Sequence, residues 1–177
     1  MENNTGNDSL HPMRRSRQQL GDGETLALLC RATSGVLSLT GSDGYPYGVP
    51  LSHVYAGGRL YFHSALHGHK IDCVRHDSKA SFTVICKDEV HPATFTTHFR
   101  SVVCFGTVRL VEDAREKKNA LRLLGLRHSP GDATGVEREI EKELGRVAVL
   151  EFNIERITGK EAIELVRERL AADNGGK

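Results

Sequence analysis

The stretch Leu60-Tyr-Phe-His-Ser-Ala-Leu-His-Gly-His-Lys-Ile-Asp-Cys-Val-Arg75 constrains this chain more than any other. It begins as a strand: Leu60 and Phe62 alternate with Tyr61 and His63, so one face is apolar and the other carries a phenol and an imidazole. Near Gly68 the period changes. Ile71 and Val74 fall three apart, as one face of a short helix requires. His67, His69 and Lys70 then crowd the positive end of the helix dipole, where carboxylates are favoured. Each such cation costs about 0.3–1 kcal/mol when exposed. An anion bound among the free N–H groups of a helix start would reverse the sign. On spacing alone, a phosphate site and a solvated basic turn fit this pattern equally well.

The segments on either side read as a β protein. Gly35–Thr40 is a first strand. Tyr45–Tyr55 is extended, and Pro46 and Pro50 argue for a sheet edge or for a segment whose backbone N–H groups do not all pair within the sheet. Gly57-Gly58 turns the chain into Leu60–Ser64. Ala80–Cys86 follows, with Phe82, Val84 and Cys86 on one face. Lys87–Thr96 reads as a polar loop. Thr97–Val111 is a long strand in which Gly106 marks a bulge, and Val147–Ile154 is the sixth strand. Helices are expected at Glu24–Arg31, capped by Asp22, after the Asp113-Ala-Arg-Glu116 capping box, around Val136, Ile140 and Leu144, and over about 160–172, after a second box pattern at Thr158–Glu161. Hairpin-linked strands with few helices predict a mainly β fold, a six-stranded barrel with peripheral helices; strict β–α alternation is absent. The organisation expected is a flexible arm over 1–18, one domain over 19–172 and a frayed tail over 173–177.

A net charge of +1 gives no global case for nucleic acid or membrane binding. No apolar run approaches the length of a membrane span, and no signal-like core opens the chain, so a cytoplasmic protein is expected. The cluster Met13-Arg-Arg-Ser-Arg17 reads as a solvated tail. Cys30, Cys73, Cys86 and Cys104 are widely spaced and read as buried free thiols. His63, His67 and His69, with His53 in support, do not put three ligands on one helix face, so no metal is expected. Neither a Gly-x-x-x-x-Gly-Lys-Ser/Thr run, a Gly-x-Gly-x-x-Gly run after a strand nor a Gly-x-Ser-x-Gly elbow is present.

Val49-Pro50-Leu51, Tyr61-Phe-His-Ser-Ala65, Gly68-His69-Lys70, Phe99-Arg-Ser-Val102 with Phe105-Gly106, and Thr158-Gly-Lys-Glu161 together resemble the nitroimidazole-resistance (Nim-type) branch of the pyridoxamine 5'-phosphate oxidase-like flavoproteins. The resemblance runs over roughly residues 13–163. It implies an FMN-binding split barrel that forms a homodimer with FMN at the subunit interface. It further implies that Val49, Pro50, Leu51 and Ser52 line the flavin ring, and that His63 and Ser64 sit beside it, with His63 the candidate catalytic residue. Gly68, His69 and Lys70 would take the phosphate, and Arg100 and Ser101 would come from the partner strand; Arg100 fits a structural dimer ion pair equally well. The implied function is an FMN-dependent oxidoreductase acting on a small electron-poor substrate such as a nitroaromatic. A non-catalytic flavin- or haem-binding protein on the same barrel is the alternative. Gly-His-Lys stands where the oxidase itself has a Ser-Arg-Lys type run, and the oxidase's basic C-terminus is missing, so vitamin B6 oxidation is not expected.

Overall fold

The computed structural model describes residues 12–175, with side chains to residue 172. Most of the arm expected over 1–18, and the last two residues, lie outside them. One seven-stranded antiparallel sheet holds β1 (Ser34–Thr40), β2 (Pro46–Ser52), β3 (Val54–Ala56), β4 (Arg59–Ala65), β5 (Lys79–His91), β6 (Thr96–Leu110) and β7 (Val147–Glu161). The strand order is β2-β1-β5-β6-β7-β4-β3. The mainly β class with peripheral helices is as expected, but there are seven strands rather than six. The extended run Tyr45–Tyr55 breaks at His53 into two strands on opposite edges of the sheet. The barrel is therefore split: its two edges are consecutive in sequence and are joined by the chain turning a corner. The prolines of β2 sit on an edge strand, where a missing N–H costs nothing.

His53 fixes that corner. It is 1% exposed. Its backbone N–H donates to Thr33 O at 3.4 Å, its Nε2 lies 3.1 Å from Leu29 O, and its ring meets Phe82 edge-on at 4.8 Å.

Inside the barrel, alternate strand positions converge. Leu37 and Leu39, Leu60 and Phe62, Phe82 and Val84, Val102 and Cys104, and Leu150 and Phe152 form one buried cluster. Two helices, α1 (Asp22–Arg31) and α2 (His69–His76), add Leu28, Leu29, Ile71 and Val74 to it. Asp22 lies inside the first turn of α1, with Gly21 at the cap, so it does not cap as expected. The bulge expected at Gly106 is present: the β6–β7 register shifts between Phe105 and Gly106. A Cβ at Gly106 would lie 1.9 Å from Asn153 O, so only glycine lets the strands close there.

Two further expectations are overturned. Lys87–His91 is not a loop but the end of β5, paired with Thr96–Arg100 as a ribbon. Its polarity reflects a ribbon with much of its surface in water. Thr158–Glu161 does not open a helix. It completes β7, in register with Val103 to Arg100, and the last helix, α5 (Ile163–Gly175), begins after it. Eleven cross-strand pairs outweigh a local capping pattern worth about 1 kcal/mol.

A pair of helices, α3 (Ala114–His128) and α4 (Ala133–Glu143), lies between β6 and β7 in sequence. Asp113 Oδ1 accepts the Glu116 N–H at 2.7 Å, as the first capping box predicts. In α3, Ala120 and Leu121 cover Val149, Val111 and Tyr61 in a second, smaller cluster. Among the described residues, no helix is long and apolar enough to cross a membrane, and no group of three or more His, Cys, Asp or Glu could hold a metal.

Candidate functional site

Strand alternation divides the candidate residues between two faces. On β2, Val49 and Leu51 pack against the core while Pro50 and Ser52 are exposed. On β4, Phe62 and Ser64 are buried while His63 is exposed. Ser52 and His63 therefore meet outside the barrel, and both line one cavity of about 670 Å³. Its other walls are largely helical, with Leu121, Leu124 and His128 from α3 and Val136 and Ile140 from α4, together with Val147 of β7. Sequence reasoning missed this helical half. The amphipathic period of α3 and α4 showed that each has a buried face, but not that both faces flank His63.

The second part of the site is the start of α2. Gly68 caps it with φ 120° and ψ 169°, a conformation that side chains rarely adopt. The first intrahelical bonds run from Ile71 N to Gly68 O at 2.8 Å and from Asp72 N to Gly68 O at 3.2 Å. The amides of His69 and Lys70 precede them, as free donors of a helix start. The His69 ring packs edge-on against Tyr47 of β2 at 4.6 Å, and its Nε2 lies 3.6 Å from Cys73 Sγ. The helix start is thus tied to the strand that carries Val49 and Leu51.

Lys70 is half-buried and has no hydrogen bond or ion pair among the described residues. Burial pulls its pKa below the usual lysine value, with no counter-charge to restore it. A partly desolvated cation beside unused amides is an arrangement completed by an anion.

The third part lies elsewhere. Arg100 and Ser101 pair with Glu161 and Lys160 at one end of β7, whereas His63 pairs with Val149 near the other. About 35–40 Å of strand contour separates the two positions. Along β7 the fold sets Arg100 and Ser101 apart from His63. The Arg100 guanidinium is held by Glu161 at 3.1 Å and lies 3.7 Å from Glu24.

All four cysteines are free; Cys73 and Cys104 are buried, Cys86 is half-buried, and Cys30, contrary to expectation, is exposed. Burial pushes the Cys104 thiol up to about 12 and raises the others, which keeps them protonated.

The fold is that of a split barrel, and family comparison agrees on the fold. The pyridoxamine 5'-phosphate oxidase family model matches residues 21–161. This chain belongs to that family. No curated protein matches it. Among solved structures, it is similar to a protein provisionally assigned to 5-nitroimidazole antibiotic resistance from Bacteroides thetaiotaomicron, 24% identical over 81% of this chain and 86% of that one, with a TM-score of 0.66. It is also similar to an FAD and haem binding protein from Mycobacterium smegmatis, 22% identical over 82% and 73%, TM-score 0.71. A third is the flavocytochrome Anf3 from Azotobacter vinelandii, 24% identical over 86% and 72%, TM-score 0.71. At these identities the likeness establishes a shared fold.

Proposed function

We propose that this chain is a flavin-binding oxidoreductase of the Nim-type branch, holding FMN at the start of α2 and reducing a small electron-poor substrate such as a nitroaromatic. The observation that carries the reading is Lys70: a half-buried, unpaired cation next to the free amides of a helix start. The residues present fit a flavin. Gly68, His69 and Lys70 would take the phosphate. The backbone of Val49 to Ser52 would run along the ring, with the strand end at Ser64 beside it, since the side chains of Val49, Leu51 and Ser64 face the barrel interior. FMN supplies the two-electron chemistry.

The chain's own residues do the rest. Lys70 and the helix start hold the cofactor by charge, and Tyr47 keeps the helix start against β2 through His69. His63, on the outer face of β4, opens on the cavity and can pass a proton to a reduced product. The separation of Arg100 and Ser101 from His63 supports a homodimer in which each protomer lends these two residues to the flavin of the other.

The test is the visible spectrum of freshly purified protein, with the released cofactor identified by mass. FMN near one per chain is the expected result. FAD would keep the class and change the nucleotide. A Soret band would replace flavin with haem, which the haem-binding neighbours make the leading alternative. A colourless protein that takes up no added flavin would overturn the reading.

A further inference from the structure

We propose that the cavity between the outer face of β4 and the α3–α4 pair is a pocket for an uncharged, planar aromatic molecule of one or two rings. That this molecule is the substrate rests on the flavin reading above; that the pocket takes it does not.

The cavity owes its existence to how α4 is held. It packs principally on α3, where Val136 seats against Gly125 so closely that a Cβ on Gly125 would lie 2.6 Å from Val136 Cγ1. Both ends of the pair are fastened. Asp132 Oδ1 caps α4 by accepting the Gly135 N–H at 2.9 Å, Arg122 pairs with Glu137, and Lys117 Nζ donates to Leu144 O at 2.7 Å. The helix is thereby committed to α3, and a space of about 670 Å³ remains between the pair and β4. That volume lies within the range of small-molecule pockets, about 300–1,000 Å³.

The lining sets the chemical class. Leu121, Leu124, Val136, Ile140 and Val147 make the walls apolar. Two imidazoles, His63 on the strand side and His128 on the helix side, are among the polar contacts that could orient a ring, with the hydroxyls of Ser52 and Ser129. The charged residues of the lining are Asp132, Glu139, Glu143 and Arg138. Two of the carboxylates are paired from outside it: Lys142 Nζ lies 3.3 Å from Glu139 and 3.5 Å from Glu143, and Arg146 lies 3.7 Å from Glu143. An anionic ligand would lose its hydration on entering and meet three carboxylates against the single guanidinium of Arg138 in the lining. A flat neutral ring loses little and buries both faces against aliphatic side chains.

Indole and its carboxylated analogue, indole-2-carboxylate, distinguish these cases on the protein as purified. Binding is read by nuclear magnetic resonance from the ring protons of His63 and His128, each assigned by its loss in His63→Gln and His128→Gln. Indole is expected to shift both resonances and to saturate below about 1 mM, with the carboxylate at least about tenfold weaker. Leu121→Trp, which fills the cavity from α3, is expected to abolish the shifts; should that variant fail to fold, the wild-type shifts decide alone. Equal binding of the two ligands, or indole binding that leaves both histidines unmoved, would overturn the proposal. Flavin content is measured on the same samples. Flavin-loaded protein that ignores indole would overturn the pocket alone, whereas colourless protein that binds indole at both histidines would uphold the pocket and remove the flavin.

Discussion

Arg100 and Glu161 face each other across β6 and β7, with Arg100 Nε and Nη2 at 3.2 and 3.1 Å from a carboxylate oxygen of a residue that has no exposed area. The other oxygen of Glu161 accepts from Arg169 of α5 at 2.9 and 3.2 Å. One buried carboxylate therefore ties the end of the sheet to the last helix. Both guanidinium groups keep partial contact with water, so removing the acid strands neither charge completely. Glu161→Gln is expected to lower stability by about 1–3 kcal/mol, the worth of hydrogen bonds to a charged group. Urea denaturation checks it, and an unchanged midpoint would show that the arginines find equivalent partners elsewhere.

Lys70 and His63 belong to different parts of the proposed flavin site and should separate on mutation. Lys70→Ala removes the cation at the helix start and is expected to weaken flavin retention by about ten- to a hundredfold, as loss of a charged hydrogen bond would. His63→Ala leaves the phosphate contacts in place and should keep the flavin while changing its reduction rate. Dialysis against buffer, followed by absorbance, measures retention. Equal retention by both variants would sink the phosphate assignment at Lys70.

This division was partly legible in the sequence. The basic helix start at Gly68–Lys70 and the outward imidazole of His63 follow from periods of 3.6 and 2 read within a few residues. Pro46 and Pro50 leave an edge or an incompletely paired segment open, of which the edge is found, and Gly106 marks the bulge. What failed required distant partners. Thr158–Glu161 has the local form of a helix start, but Val102, Ser101 and Arg100 draw it into the sheet. Lys87–His91 looks like a loop because a projecting ribbon has polar residues on both faces. The corner at His53 is invisible locally, since its partners, Leu29, Thr33 and Phe82, lie some 20 to 30 residues away.

His53 should give the fold an acid sensitivity. Its Nδ1 is buried without a partner. Burial pushes its pKa down most, the Leu29 carbonyl bond raises it, and Arg127 and His128 lower it further. The unfolded chain takes up this proton near pH 6.5 while the folded chain resists it. The contribution is therefore fully present above about pH 6.5 and declines as pH falls from there toward the folded value. His53→Gln removes the titration, so the stability difference between wild type and variant should shrink between about pH 7.5 and 5.5. A pH-independent difference in urea midpoints would contradict this account.

Gly125 and Val136 set how closely α4 approaches α3, and their contact can be tested without any ligand. A methyl at Gly125 would fall 2.6 Å from Val136 Cγ1 and 3.0 Å from Cγ2, well inside van der Waals contact. Helix propensity alone would make Gly125→Ala stabilising by about 1 kcal/mol. Overpacking costs about 1–3 kcal/mol and should exceed that gain, giving a net loss. Val136→Ala removes both methyl groups that obstruct the new Cβ, at the price of a small void. The double variant Gly125→Ala/Val136→Ala should then be more stable than the sum of the two single effects predicts, by about 1 kcal/mol or more. Additive losses in a double-mutant cycle would mean that α4 shifts freely on α3. In that case the spacing between the helices and β4, and with it the cavity beside His63, would not be fixed by this contact.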